Sequence, residues 1–236
     1  MKWVVVTGAS RGLGSELVKA FIETDHRVIG IARTPTGSWS VGSSENFVQL
    51  QCDLTDESMV KRVFSEIRKN GYAIGCLINN AGIFSSQLLQ TSSSKHINEV
   101  FNSNLISALL ATREVSKMMR LTGGGSVISI SSIAASIRMP GNAIYGASKV
   151  ALEELMRGFA SEFKGSEITF NSIRISFLEG TGMVDSLTAE PRKHYEQRLL
   201  EPSALSIQEI FHSIQYFESN LSRSVTGQVL TLGSPD

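Results

Sequence analysis

Short apolar runs alternate with longer amphipathic stretches along the 236 residues. Residues 3–7, 27–32, 47–52, 74–79, 126–131 and 168–177 read as strands, rich in Val, Ile and Leu with little polar alternation. Strands of that kind belong in a parallel sheet covered on both faces. Residues 13–24, 57–69, 97–120 and 143–163 read as helices between them. In the third, Ile97, Val100, Phe101, Leu105 and Ala108 begin an apolar stripe at helical spacing, fit for the core and in part for a subunit interface. A helix at 206–219 and a strand at 227–232 complete the series. The pattern predicts an α/β fold of Rossmann type: a doubly wound parallel sheet of about seven strands with helices on both faces. No repeat and no long linker interrupts it, so residues 1–236 are expected to form a single domain.

The first strand runs into Thr7-Gly8-Ala9-Ser10-Arg11-Gly12-Leu13-Gly14 and then directly into a helix. Glycines there let a pyrophosphate approach main-chain N–H groups at a helix N-terminus, where the dipole favours anions. Further on, Asn79-Asn80-Ala81-Gly82 closes the fourth strand and Tyr145-Gly146-Ala147-Ser148-Lys149 opens a helix. With three residues between the first two glycines, and these three elements in this order, the chain resembles the short-chain dehydrogenase/reductase family. The resemblance is close over residues 4–181 and looser beyond.

It implies a dinucleotide-binding catalytic domain, with cofactor contacts from Gly8, Ser10, Arg11, Gly12, Leu13, Gly14, Asn80, Ala81 and Gly82. In the family, the residue after the second strand reads the adenosine ribose. Arg33 stands there with no carboxylate beside it, and Arg11 can close on the same group, so NADP(H) is expected rather than NAD(H). Either arginine alone could equally be a solvated surface charge. Asp53, followed by Leu54, matches the residues at the adenine, although Asp53 could instead cap the next helix.

Tyr145 and Lys149 are four apart and share a helix face. A phenol is a poor acid–base group at neutral pH until a nearby ammonium lowers its pKa. The resemblance makes Tyr145 the acid/base, with Lys149 tuning it and holding the nicotinamide ribose. Ser132, thirteen residues before Tyr145, would hydrogen-bond the substrate oxygen. Ser131 is the neighbouring candidate, but it should point to the other face of its strand. Asn104 would hold a water that relays protons to Lys149, with Asn102 as the alternative. The implied reaction is hydride transfer between a nicotinamide and a ketone, aldehyde or alcohol.

The family's usual Pro-Gly after the sixth strand is missing from Ser176-Phe177-Leu178-Glu179-Gly180-Thr181. Thr181 still matches the threonine over the nicotinamide, while Phe177 and Glu179 stand where turn residues belong. This departure keeps a second reading open, a non-enzymatic NADP(H)-binding sensor or scaffold. A substrate lid is expected at about 183–202.

Composition narrows the partners. Apolar residues are 42% and charged residues 19%, and 22 basic residues balance 22 acidic ones, so no net field draws the chain to nucleic acid or an anionic membrane. No apolar run reaches the length of a membrane span, and no signal peptide is expected, which makes the cytoplasm the default location. Cys52 and Cys76 sit in apolar runs and form no metal pattern. The four histidines are scattered and expected to face solvent, so no metal site is expected. By the same resemblance, the 97–120 helix and the last strand would pair copies into a homodimer or homotetramer.

Overall fold

The computed structural model describes residues 2–34, 45–178, 197–200 and 204–233. Seven strands form one sheet: β1 (Trp3–Thr7), β2 (Arg27–Ala32), β3 (Phe47–Gln51), β4 (Ile74–Asn79), β5 (Gly125–Ser132), β6 (Ile168–Ile175) and β7 (Val229–Thr231). Their order is β3-β2-β1-β4-β5-β6-β7, and every neighbouring pair is parallel. The winding reverses between β1 and β4. In open sheets of this kind, ligands bind outside the carboxyl ends of the strands at that reversal.

Among the described residues the α-helices are α1 (Gly12–Glu23), α2 (Glu57–Lys69), α3 (Ser94–Phe101), α4 (Ser107–Leu121), α5 (Ala143–Glu162) and α6 (Ile207–Glu218). They cover both faces, which is why the strands read as apolar throughout. On one face Val5, Ile29, Leu77 and Val127 meet Phe64 of α2, Val115 of α4 and Leu152 of α5. On the other Val6, Ile78, Ile128 and Ile173 meet Leu17 and Phe21 of α1 and Ile214 of α6. Each fully buried side chain of this size contributes about 1.5–3 kcal/mol through area removed from water.

Two elements depart from the sequence pattern. The helix expected at 97–120 starts earlier, where Ser93 Oγ accepts the His96 N–H, and it is not uniform. Between α3 and α4 the chain widens into a π-helical turn over Asn102–Ile106, with the Ser107 N–H reaching back to Asn102 O. The strand expected to run to residue 177 ends at Ile175. Phe177 leaves the sheet because it packs with Ile133, Ile137 and Leu199 in a small third cluster. Its carbonyl accepts the Leu205 N–H at 2.7 Å, which binds the chain end there instead.

Candidate active site

The glycine turn leaves β1 and enters α1 under close restraint. Gly8 and Gly12 have φ of 65° and 55°, which side-chain-bearing residues rarely adopt. A Cβ on Gly14 would stand 2.2 Å from Gly8 O, and one on Gly8 would stand 2.8 Å from Ala81 Cα. Arg11 is the N-cap of α1 but offers it no side-chain hydrogen bond, and the first turn holds no acidic residue. By contrast, Asp56 caps α2 and a Ser206–Glu209 capping box closes α6. The first turn of α1 is thus built like an anion site, with no acidic residue of its own to compete.

Thr7 ties this turn to β4. Its Oγ1 accepts the N–H groups of Asn80 (3.0 Å) and Ala81 (3.1 Å) and donates to Ile78 O at 3.2 Å. The Asn80 amide donates to Thr7 O at 3.0 Å and Gly8 O at 3.4 Å. Asn80 therefore braces the turn. Thr7 is not among the site residues expected from the sequence, where its one signal is a hydroxyl closing an apolar strand.

The same segment continues to the catalytic candidates. A Cβ on Gly82 would stand 2.8 Å from Asn104 Oδ1 and 3.7 Å from Lys149 Nζ, so these three groups meet. Asn104 is fully buried in the π-helical turn. Its Oδ1 accepts the Ile83 N–H at 2.7 Å, and its Nδ2 donates to Ile83 O at 3.0 Å and Ser148 Oγ at 3.1 Å. Asn102, the alternative, is exposed.

Lys149 is buried and donates from Nζ to Ile130 O at 2.9 Å. Nζ lies 5.8 Å from the centre of the Tyr145 ring. Burial holds the Lys149 ammonium down to about 8, and the Glu153 carboxylate acts in the opposite direction. Tyr145 is itself buried and meets Phe84 edge to face at 5.2 Å. Ser132 ends β5 and accepts the Ala134 N–H at 3.2 Å, starting the short turn Ile133–Ala135. That turn lies against the start of α5, where a Cβ on Gly146 would stand 2.5 Å from Ala134 O. Ser131 does face the other way, and its Oγ donates to Glu153 Oε1 at 2.5 Å.

Arg11 and Arg33 are both exposed. Arg33 follows β2, beside the glycine turn after β1 on one flank and Asp53 and Leu54 after β3 on the other. Asp53 does not cap the following helix. Asp56 does so, accepting the Ser58 and Met59 N–H groups, while Asp53 Oδ1 takes the Thr55 N–H and hydroxyl. Leu54 is buried in the core. Thr181 lies outside the described residues, as does the 183–202 segment apart from 197–200.

The glycine turn, residues 80–82, Asn104 and the pair Tyr145 and Lys149 thus form one connected set at the carboxyl ends of β1, β4 and β5. The sequence model for short chain dehydrogenases matches residues 2–192. The chain belongs to the short-chain dehydrogenase family. It is 31% identical over 189 residues to carbonyl reductase family member 4 of Danio rerio, covering 79% of each. It is 27% identical over 231 residues to the 3-oxoacyl-[acyl-carrier-protein] reductase of Escherichia coli (strain K12), covering 97% of this chain and 94% of that one. Its fold matches ElxO, solved with NADP bound, at a TM-score of 0.88, with 24% identity, covering 98% of this chain and 96% of that one.

Other candidate chemistry in this short-chain dehydrogenase falls away. Both cysteines are buried; burial pushes the Cys52 thiol up to about 11 and the Cys76 thiol well above its usual value, so neither is a ready nucleophile. The expectation that the histidines face solvent holds for His212 alone among those described. His26 is half-buried against the Phe21 ring, where it faces Glu218 at 3.7 Å. His96 is also half-buried and meets Ser85 Oγ at 2.7 Å. Each finds a tertiary partner that spacing in the sequence does not reveal. His194 lies outside the described residues.

Proposed function

We propose that the chain is an NADP(H)-dependent oxidoreductase that interconverts a ketone or aldehyde and an alcohol. The observation that carries this is the junction of Gly82, Asn104 and Lys149, which joins the bracing of the glycine turn to the helix of Tyr145. Bound NADP(H) supplies the hydride chemistry. Tyr145 gives its proton to the substrate oxygen in reduction and takes it back in oxidation. Ser132 steadies the charge developing on that oxygen. Lys149 keeps the Tyr145 phenolate accessible by its positive charge and holds the nicotinamide ribose. Asn104 has spent both amide hydrogens on Ile83 and Ser148, so its remaining Oδ1 lone pair is where a relay water would bind.

Gly8, Ser10, Gly12, Leu13 and Gly14 form the pyrophosphate turn, and Ala81 and Gly82 line its neighbour. Two exposed guanidinium groups, Arg11 and Arg33, with no carboxylate closing β2, favour a ribose 2′-phosphate. Residues 1–236 act as one catalytic domain in this reading, in the cytoplasm. The buried Leu199, packed on Ile133 and Phe177, supports a cover over this end of the sheet by the 183–202 segment. The grooved outer face of α5 supports assembly with copies of the same chain.

Fluorescence titration with NADPH and NADH, followed by oxidation of the bound cofactor against a panel of carbonyls, tests this. NADPH should bind about tenfold or more tightly than NADH, and Arg33→Ala with Arg11→Ala should erase the difference. Binding without turnover across the panel would favour the sensor reading. Binding of neither cofactor would overturn both.

A further inference from the structure

Beneath the proposed catalytic pair lies a buried charge cluster with no part in the scheme so far. Glu153 is one helical turn beyond Lys149 on α5, and it is only 3% exposed. A buried carboxylate is costly unless paired and fully hydrogen-bonded. This one is: Arg174 of β6 reaches it with two N–H groups, Nε at 3.1 Å and Nη2 at 2.7 Å. Ser131 of β5 donates to it at 2.5 Å. Glu153 thus joins α5, β5 and β6 where they leave the sheet. It is anchored to the residue immediately before Ser132 and to the turn immediately after Lys149.

We propose that Glu153, held by Arg174 and Ser131, is a positioning residue that keeps the Lys149 ammonium charged and in place beside Tyr145. Its consequence for turnover rests on the reductase reading above. Among the described residues, the surroundings of Lys149 leave this task to Glu153. On α5 stands the Tyr145 ring, β5 offers the Ile130 carbonyl, and the π-helical turn offers the Asn104 amide. On α3, Lys95 and Glu99 face solvent and His96 turns to Ser85. Arg174 grips both oxygens of the Glu153 carboxylate, which fixes that charge in one orientation. Without a fixed carboxylate nearby, burial alone would drive the ammonium to release its proton. A neutral Lys149 can no longer ease proton loss from Tyr145.

The test follows Lys149 directly, by carbon NMR of the full chain labelled at the lysine ε-carbon, with the resonance assigned by its loss in Lys149→Met. The wild-type midpoint should lie near about 8. In Glu153→Gln it should fall by about one pH unit, a tenfold loss of proton affinity. Glu153→Asp, which keeps the charge, should restore most of that fall. Because Glu153→Gln strands Arg174, whose unpaired cation adds to the fall, the double variant Glu153→Gln/Arg174→Met removes both charges together and should show a smaller fall in the same direction. An unchanged midpoint in either folded Gln variant overturns the proposal, whatever the enzyme turns over. With a carbonyl that the wild type reduces, the basic limb of the kcat/KM profile should move to lower pH by the same amount, through kcat rather than KM. Absence of wild-type turnover would sink the reductase reading, and the Lys149 midpoint would still decide this one.

Discussion

A phenol with an ordinary pKa of about 10 keeps its proton too tightly to exchange it at neutral pH. Tyr145 stands 5.8 Å, ring centre to Nζ, from an ammonium that burial has already brought down to about 8. Lys149 is thereby brought closer to neutrality beside the Tyr145 ring. Tyr145→Phe removes the hydroxyl and keeps the ring against Phe84. Turnover should fall by about 10²–10⁴-fold, the usual worth of a positioned acid–base group, with NADPH affinity retained. Steady-state rates beside a fluorescence titration check this, and near-wild-type turnover would remove Tyr145 from the role. Tyr145, Lys149 and Ser132 were legible in the sequence because helical spacing and a strand end are local facts. Glu153 was not, since its partner Arg174 lies on another element 21 residues away. Its one local trace is an acidic residue four beyond Lys149, next to the buried Leu152.

At the scale of elements, the turn from β1 into α1 shows how packing overrides propensity. An alanine inside a helix ordinarily stabilises it over glycine by about 1 kcal/mol. At Gly14 the added Cβ would meet Gly8 O at 2.2 Å and the Asn80 amide at 2.6 Å, so the turn or its brace must move. Gly14→Ala should therefore weaken NADPH binding about tenfold or more, and it should lower the thermal midpoint despite the better helix former. Unchanged binding in that variant would mean that the turn does not cradle the phosphates. The strands and most helix bounds followed from apolar runs and glycine breaks, and 57–69 matches α2 at both ends. The π-helical turn at Asn102–Ile106 did not, because a widened turn preserves the apolar stripe on either side. What it changes is the aim of one side chain: Asn104 is buried and Asn102 exposed, a choice the sequence left open.

Across the whole molecule, α5 has two occupations. Its inner side carries Tyr145, Lys149, Leu152 and Met156, all buried. Its outer side carries the small residues Ala147, Val150, Ala151 and Gly158, which let another backbone come close, beside the exposed ion pair of Glu154 and Arg157, and Val150 is 44% exposed. Leu105, from the π-helical turn, joins Leu155 and Phe159 in a groove along the same side. β7, half-buried and only three residues long, has no further strand beside it among the described residues. In the homo-oligomer proposed above, helix side and sheet edge offer two surfaces for pairing copies, one used in a dimer and both in a tetramer. A stable pairing needs about 800 Å² from each partner, and a charge set into its centre without a counter-charge is costly. Val150→Glu should shift the sedimenting species from dimer or tetramer toward a smaller one, with the far-ultraviolet circular dichroism unchanged. Since the opposite side of the same helix carries Tyr145 and Lys149, dissociation should also soften the site and lower kcat more than NADPH affinity. A wild-type chain that sediments as a monomer, or a Val150→Glu variant of unchanged mass, would show that this side of α5 faces water for some other reason.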